Sequence, residues 1–116
     1  MPSISTIDHA IVVLTNMPDT VSAQTLARQL VEQNLAACVN ILDGIESIYR
    51  WQGVIETASE CCLLIKSTQA RYTELEVAIK SAHPYQLPEI IALPIVAGWP
   101  AYLEWIATET KKDQNV

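Results

Sequence analysis

Two histidines and three cysteines supply the nitrogen and sulfur side chains in this sequence that could bind a metal ion. His83 stands where a predicted helix gives way to a loop before Pro84, a location that favours exposure and function. The residue is either a metal ligand or a structural histidine at the helix terminus, where the helix dipole and hydrogen bonds stabilise it. The carboxylate of Glu89 and the thiol of Cys62 are further candidate ligands. His9 is interpreted as structural.

The acidic residues and the cysteines each have two interpretations. The carboxylates supply oxygen ligands or form a solvated acidic rim; they are Asp43, Glu46, Glu56, Glu60 and Glu89. Cys38, Cys61 and Cys62 lie in apolar runs, where a free cysteine usually behaves as a small hydrophobe. Either neighbouring thiol could still bind Cu(I) if it lined a cleft. No C-x-x-C spacing occurs, so neither a structural zinc site nor a thioredoxin-like motif is supported.

A second group of residues could form a small-molecule pocket. The candidates for this ligand cleft are Tyr49, Arg50, Trp51, Lys66 and Tyr85. In an assembly the aromatic members would line clefts between subunits or seal the interface. The sequence has no phosphate-binding glycine loop, metalloprotease helix or nucleophile elbow, and no nucleophile has an identifiable base beside it. We therefore predict that the protein is not an enzyme.

Composition limits the class of protein. The 116 residues suffice for one domain, 1–116, and half of them are hydrophobic, which predicts a folded chain. A net charge of −6 repels a phosphate backbone, so nucleic acid is not expected as a partner. The longest apolar runs, 10–14 and 61–65, are far shorter than the ~18 residues of a membrane span. With no signal peptide and an odd number of cysteines, we expect a cytoplasmic protein that has no membrane partner.

The periodicity of the sequence predicts the elements that position these residues. The predicted strands are Ile7–Thr15, a long bent strand 37–51 broken at Asp43-Gly44, Val54–Ser67 after a turn at Gln52-Gly53, and Pro88–Ala97. The predicted helices are Thr20–Gln33 after an Asp19 cap, a second from Thr68 to near His83 with Arg71 facing outward, and a short one from Pro100. Pro94 places the last strand at an edge of the sheet or at a bulge. The order indicates an α+β, ferredoxin-like βαββαβ fold with one antiparallel sheet and two helices on one face.

The strands are apolar on both faces. The stretches 11–14, 61–65 and 90–93 do not alternate with polar residues, so the third strand is predicted to be buried on both sides. Two helices cover only one face of such a sheet. The other face packs against further copies of the chain, or the hairpin and the terminal helix cover it. The first alternative predicts a homo-oligomer.

Three segments together resemble the CutA family of divalent-cation tolerance proteins. The stretches AACVNI, SIYRW and HPYQLPEI carry the likeness, which extends from Ile7 to Ile106. The resemblance implies a ferredoxin-like subunit in a stable homotrimer, similar in architecture to the PII signalling proteins. It implies a role in tolerance of copper and other divalent cations, with copper binding and no established reaction.

The family's copper ligands are only partly present in this sequence. The resemblance places them on a cysteine at the end of the first strand and on two consecutive histidines at the end of the second helix. Here these positions read Thr15 and Ala82-His83. Because copper usually needs several nitrogen or sulfur ligands, weak copper binding is expected. The alternative function is a PII-like signalling trimer that binds a small metabolite in clefts between subunits.

Overall fold

The computed structural model describes residues 9–112, which form one antiparallel sheet and three α-helices. The strands are β1 (Ala10–Met17), β2 (Cys38–Trp51), β3 (Val54–Thr68) and β4 (Ile91–Pro94). The helices are α1 (Thr20–Glu32), α2 (Tyr72–Ala82) and α3 (Pro100–Glu109). The strand order is β2-β3-β1-β4, so β2 and β4 are the two edges of the sheet. None of the helices described between residues 9 and 112 is long and apolar enough to cross a membrane.

The main core lies between the sheet and the first two helices. Alternate residues of β1 and β3, such as Val13, Leu63 and Ile65, are fully buried there. They pack in one cluster with Leu30 of α1 and other helix residues. Both long helices therefore cover the same face, which confirms the predicted α+β arrangement with an antiparallel sheet.

Three local signals act as predicted. Asp19 caps α1 by accepting a 2.8 Å hydrogen bond from the backbone N–H of Ser22. The β2–β3 turn has both Gln52 and Gly53 at positive φ, the arrangement that suits a tight hairpin. The register of β2 shifts between Leu42 and Ile45, where Gly44 has a φ of +73°. The shift bends this long strand.

Two strand boundaries differ from the prediction. The first two residues of the predicted strand 7–15 lie outside the described residues, and β1 continues to Met17 because Asn16 and Met17 still pair with Cys62 and Cys61. The last strand was predicted over 88–97, but only Ile91–Pro94 pair with β1, at the edge of the sheet. Prolines within and before this segment lack the N–H that a longer ladder needs.

The start of the second helix corrects a prediction. Thr68 makes no side-chain cap, and a 3₁₀ turn, Gln69–Arg71, precedes α2. Arg71, predicted to face outward, is buried. Its guanidinium donates to the carbonyl of Asn34 at 3.4 Å and pairs with Glu74 at 2.6 Å. The turn directs this side chain inward, where both partners satisfy it.

The outer ends of β2 and β3 form a two-stranded arm. β1 ends opposite Cys61, so the residues of β3 before it extend past β1, and the described chain measures 53 Å in its longest dimension. Ile48, Val54 and Ile55 on this arm are exposed. A hairpin with so little packing is marginal by itself, so the arm needs further contacts.

The second face of the sheet is only partly covered. Helix α3 places Ile106 against Ala10 and Ala37 at one end of it. Elsewhere Leu14 and Leu64 are half-buried, and Leu93 remains exposed. The prediction that β3 is buried on both sides is therefore wrong for the single chain. The reason is that α3 covers one end of this face and no other element described lies over the rest.

Candidate functional site

A groove runs along the hairpin arm, from Glu60 to Trp51 beside the turn, and is bordered by the loop that follows α2. Its volume is about 600 Å³. The lining residues are Asn16, Ser47, Ile48, Tyr49, Trp51, Glu60, Tyr85, Gln86, Leu87 and Glu89. The groove exists because α2 ends at Ala82 and His83, the residue before a proline, takes an extended conformation. The loop then carries Tyr85 back across β3.

Asn16 at the end of β1 is the centre of a polar network in this groove. Its amide nitrogen lies 3.5 Å from Glu60 Oε1 and 3.4 Å from Glu89 Oε1, so one NH₂ group faces two carboxylates. The hydroxyl of Tyr85 donates to Glu60 Oε2 at 2.8 Å. The ion pairs of Arg71 and Lys112 are both with Glu74, away from the groove. Among the described residues, no basic side chain pairs with the carboxylates of Glu60 and Glu89.

Hydrogen bonds fix the tautomer of His83. The backbone N–H of Tyr85 donates to His83 Nδ1 at 3.3 Å, so Nδ1 accepts and carries no proton. Nε2 therefore carries the proton and donates to the carbonyl of Asn16 at 2.7 Å. The rings of His83 and Tyr85 are 4.8 Å apart. Both nitrogens are engaged within the chain, so a metal ion would have to displace one of these bonds.

Burial and hydrogen bonds shift the acidity of the groove residues. Burial, followed by the hydrogen bond to Glu60, raises the pKa of Tyr85, so its hydroxyl stays a donor. Burial also lowers the pKa of His83, and this effect outweighs the opposing hydrogen bond to Asn16 and the charge of Glu60. Burial, then the charges of Glu89 and Glu60, raise the pKa of the Cys62 thiol.

The structure brings the three predicted metal ligands into one neighbourhood. His83 bonds to the backbone of Asn16, Glu89 bonds to its amide, and Cys62 lies directly opposite it on β3. They do not form a chelating cluster. Within residues 9–112 no three histidine, cysteine, aspartate or glutamate side chains come close enough together to hold a metal ion.

The predicted cleft residues divide into two groups. Tyr49, Trp51 and Tyr85 line the groove. Arg50 instead bonds to the carbonyl of Gly53 at the hairpin turn, and Lys66 lies beside Cys38 and Asn40 toward the other end of β3. The structure therefore does not bring the two basic residues together.

The positions of the family's other copper ligands differ in environment. Thr15 is fully buried on the helix-facing side of β1, and its hydroxyl has no hydrogen-bond partner among the described residues. Ala82 is exposed at the end of α2. The Thr15 position therefore gives a metal ion no access from solvent. His9 is also exposed, and its carbonyl accepts a bond from Gln69.

Sequence reasoning did not identify Asn16 as the centre of the site. Asn16 lies just past the end of the predicted strand 7–15, and Glu60 was interpreted as one of several acidic residues. One signal could have found Asn16: on the open face of β1 it is a polar residue following Val12 and Leu14 at the strand's period of two.

The lowered pKa of His83 predicts a loss of stability in mild acid. Unfolding returns the imidazole to its usual pKa of 6.5, so the unfolded chain binds more protons. Stability should be full above pH 6.5 and should fall as the pH drops from there toward the lower pKa of the folded state. The free energy of unfolding, measured with urea across this pH range, should fall more steeply for wild type than for His83→Gln. The variant His9→Gln, which removes an exposed histidine, is the control. Equal pH slopes for wild type and His83→Gln would contradict the prediction.

A family model described as "CutA1 divalent ion tolerance protein" matches residues 11–109. This chain belongs to the CutA1 family. The "Divalent-cation tolerance protein CutA" of Thermus thermophilus is 48% identical over 99 residues, which are 85% of this chain and 96% of that protein. "Protein CutA, chloroplastic" of Arabidopsis thaliana is 42% identical over 102 residues, and the match spans 88% of this chain but 56% of that longer protein.

Solved CutA1 structures have the same fold. That of Thermus thermophilus superposes with a TM-score of 0.86 at 46% identity and covers 88% of this chain and 99% of its own. That of CutA1 from Oryza sativa has a TM-score of 0.88 at 40% identity and covers 94% of this chain and 100% of its own. The resemblance noted from the motifs is thereby confirmed.

Proposed function

We propose that this chain acts in divalent-cation tolerance by binding a divalent cation, copper included, weakly and reversibly at Glu60 and Glu89. The observation that carries the proposal is the pair of carboxylates that share one amide donor in the groove. Glu60 is only 8% exposed, and no basic side chain among the described residues pairs with either group. A nearby cation would offset the cost of holding these charges together.

The donor set indicates weak rather than tight binding. Two carboxylates suit a hard cation, and the half-buried Cys62 thiol across from Asn16 adds a softer donor that favours copper. A tight site needs three or more donors in a fixed geometry, which the described part of one chain does not supply. We infer exchange of the metal rather than permanent storage.

The same proposal includes a non-catalytic role and a homotrimer in the cytoplasm. A hydrogen bond to Asp43 raises the pKa of Cys61, and burial raises that of Cys62, whereas a catalytic thiol needs a lowered pKa. The apolar second face of the sheet supports assembly. The three cysteines are free, as in a reducing compartment.

The test is a copper titration followed by native mass spectrometry. We compare wild type with Glu60→Gln/Glu89→Gln and with Glu32→Gln/Glu104→Gln, which removes the same charge from two exposed helix positions. The groove variant should lose at least about tenfold in affinity, since each lost charged ligand costs more than ~1 kcal/mol. The control should bind like wild type. Equal binding by all three proteins, or loss only in His83→Gln, would overturn the proposal.

A second candidate function is binding of a small metabolite, as in PII-like signalling proteins. The observation that favours it is the groove itself, whose volume of about 600 Å³ is in the range that holds small molecules. Five of its ten lining residues are aromatic or aliphatic and five are polar or acidic, so it offers both packing surface and groups that orient a ligand.

A further inference from the structure

The open face of the sheet carries a positive charge at the end away from the groove. Lys66 lies opposite Val12 of β1 and Cys38 of β2, and its side chain is half-buried. Among the described residues its ammonium has neutral partners, which are the amide oxygen of Asn40 and, at 4.0 Å, the sulfur of Cys38. No carboxylate of the described chain forms an ion pair with Lys66.

The opposite charge lies further along the same face. Glu60 precedes Lys66 on β3 by an even number of residues, so both side chains belong to the open face. Glu89 adds a second carboxylate, because it shares the amide nitrogen of Asn16 with Glu60. At ~3.3 Å per residue the Cα atoms of Glu60 and Lys66 are roughly 20 Å apart, which is too far for an ion pair within one chain.

Contact between copies through this face would remove water from both charged sites. Glu60 is only 8% exposed in the single chain, and Leu64 between the two charges is apolar and half-buried. Burying an unpaired ammonium or carboxylate costs far more free energy than burying the two in contact. Assembly therefore favours an arrangement in which the ammonium of one copy meets the carboxylates of another.

We propose that Lys66 of one copy forms an ion pair with Glu60 and Glu89 in the groove of a neighbouring copy. Each copy has one such ammonium and one such carboxylate pair at different places on the face, so a closed head-to-tail ring pairs all of them. The inference rests on the proposed homotrimer and deepens the proposed metal binding. The ammonium occupies the carboxylates when metal is absent, and a metal ion must displace it.

The first test is zero-length cross-linking with a water-soluble carbodiimide, which joins an amine to a carboxylate in direct contact. The assembled protein is prepared by refolding a mixture of isotopically light and heavy chains, with a chelator present to remove metal. Linked peptides that carry one label each identify contacts between copies. The expected product joins Lys66 to Glu60 or Glu89 of another chain. Links between copies that join Lys66 only to other carboxylates, or to none, would overturn the inference.

A double-mutant cycle tests the same pair without the reagent. Lys66→Met and Glu60→Gln each remove one partner, and each should raise the dissociation constant of the assembly at least about tenfold, measured by sedimentation. The double variant should dissociate no more readily than either single variant, because no unpaired charge remains between Lys66 and Glu60. Lys80→Met, at an exposed position of α2, should assemble like wild type. Effects of the two substitutions that simply add would overturn the inference.

Copper binding separates this inference from the metal proposal. Lys66→Met should bind copper more tightly than wild type, because no ammonium competes for the carboxylates. If Lys66 cross-links to Glu60 but Glu60→Gln/Glu89→Gln binds copper like wild type, the inference stands and the metal proposal fails. If the cross-link is absent but that variant loses copper, the inference fails and the metal proposal stands.

Discussion

Replacing Leu93 with glutamate is expected to reduce the native mass of the protein from that of the proposed homotrimer to that of a single chain. Leu93 lies on β4 opposite Val12, on the open face of the sheet, and is 48% exposed in the chain. A buried leucine contributes about 1.5–3 kcal/mol, and a homotrimer loses this at every copy of the interface. Each glutamate would also bring a charge into an apolar contact, which costs further free energy.

A matched variant separates this effect from damage to the fold. Val77→Glu places the same charge on the outer side of α2, at a valine that is 60% exposed. It should keep the assembled mass in size-exclusion chromatography with light scattering, and both variants should keep the wild-type circular dichroism spectrum. If Leu93→Glu has the same assembled mass as wild type, the open face of the sheet is not part of the interface between subunits.

Removing the hydroxyl of Tyr85 is expected to destabilise the fold by about 1.5–3 kcal/mol, the usual contribution of a hydrogen bond to a charged group. Tyr85→Phe leaves the buried Glu60 carboxylate with the 3.5 Å contact to Asn16 in place of two donors. The loss is measured as a lower free energy of unfolding in urea. A double-mutant cycle with Glu60→Gln should show a coupling of similar size.

Tyr72→Phe is the control for this prediction. The Tyr72 hydroxyl also donates to a glutamate, Glu76, at 2.8 Å, but that carboxylate is exposed. Water replaces the lost bond there, so the cost should stay below about 1 kcal/mol. Similar losses for the two variants would show that burial of Glu60 adds nothing to the strength of its hydrogen bond.

Much of the fold depends on short-range sequence patterns, and these parts of the fold could be predicted from the sequence. The helical period of α1, the cap at Asp19 and the turn at Gln52-Gly53 depend on residues within a few positions of one another. The end of β1 was predicted too early because Asn16 and Met17 precede a proline. Pairing with β3 decides that boundary, and pairing depends on residues distant in sequence.

The candidate site was less predictable for the same reason. Asn16 is 44 residues from Glu60 and 73 from Glu89, so no local spacing relates them. The structure places the predicted ligands His83, Glu89 and Cys62 near Asn16, and their binding of a metal ion stays a prediction. The position of Lys66 was harder to predict. Only the register of β2 and β3 shows that this residue lies at the other end of the sheet from the groove.

Anomalous diffraction at the copper edge, from crystals of the assembled protein grown with Cu(II), would test most directly that the groove around Asn16 is where this CutA1 protein binds cations. The predicted result is an anomalous peak within coordination distance of Glu60 and Glu89, absent from crystals of Glu60→Gln/Glu89→Gln. A peak only at other residues, or no peak at saturating copper, would contradict it.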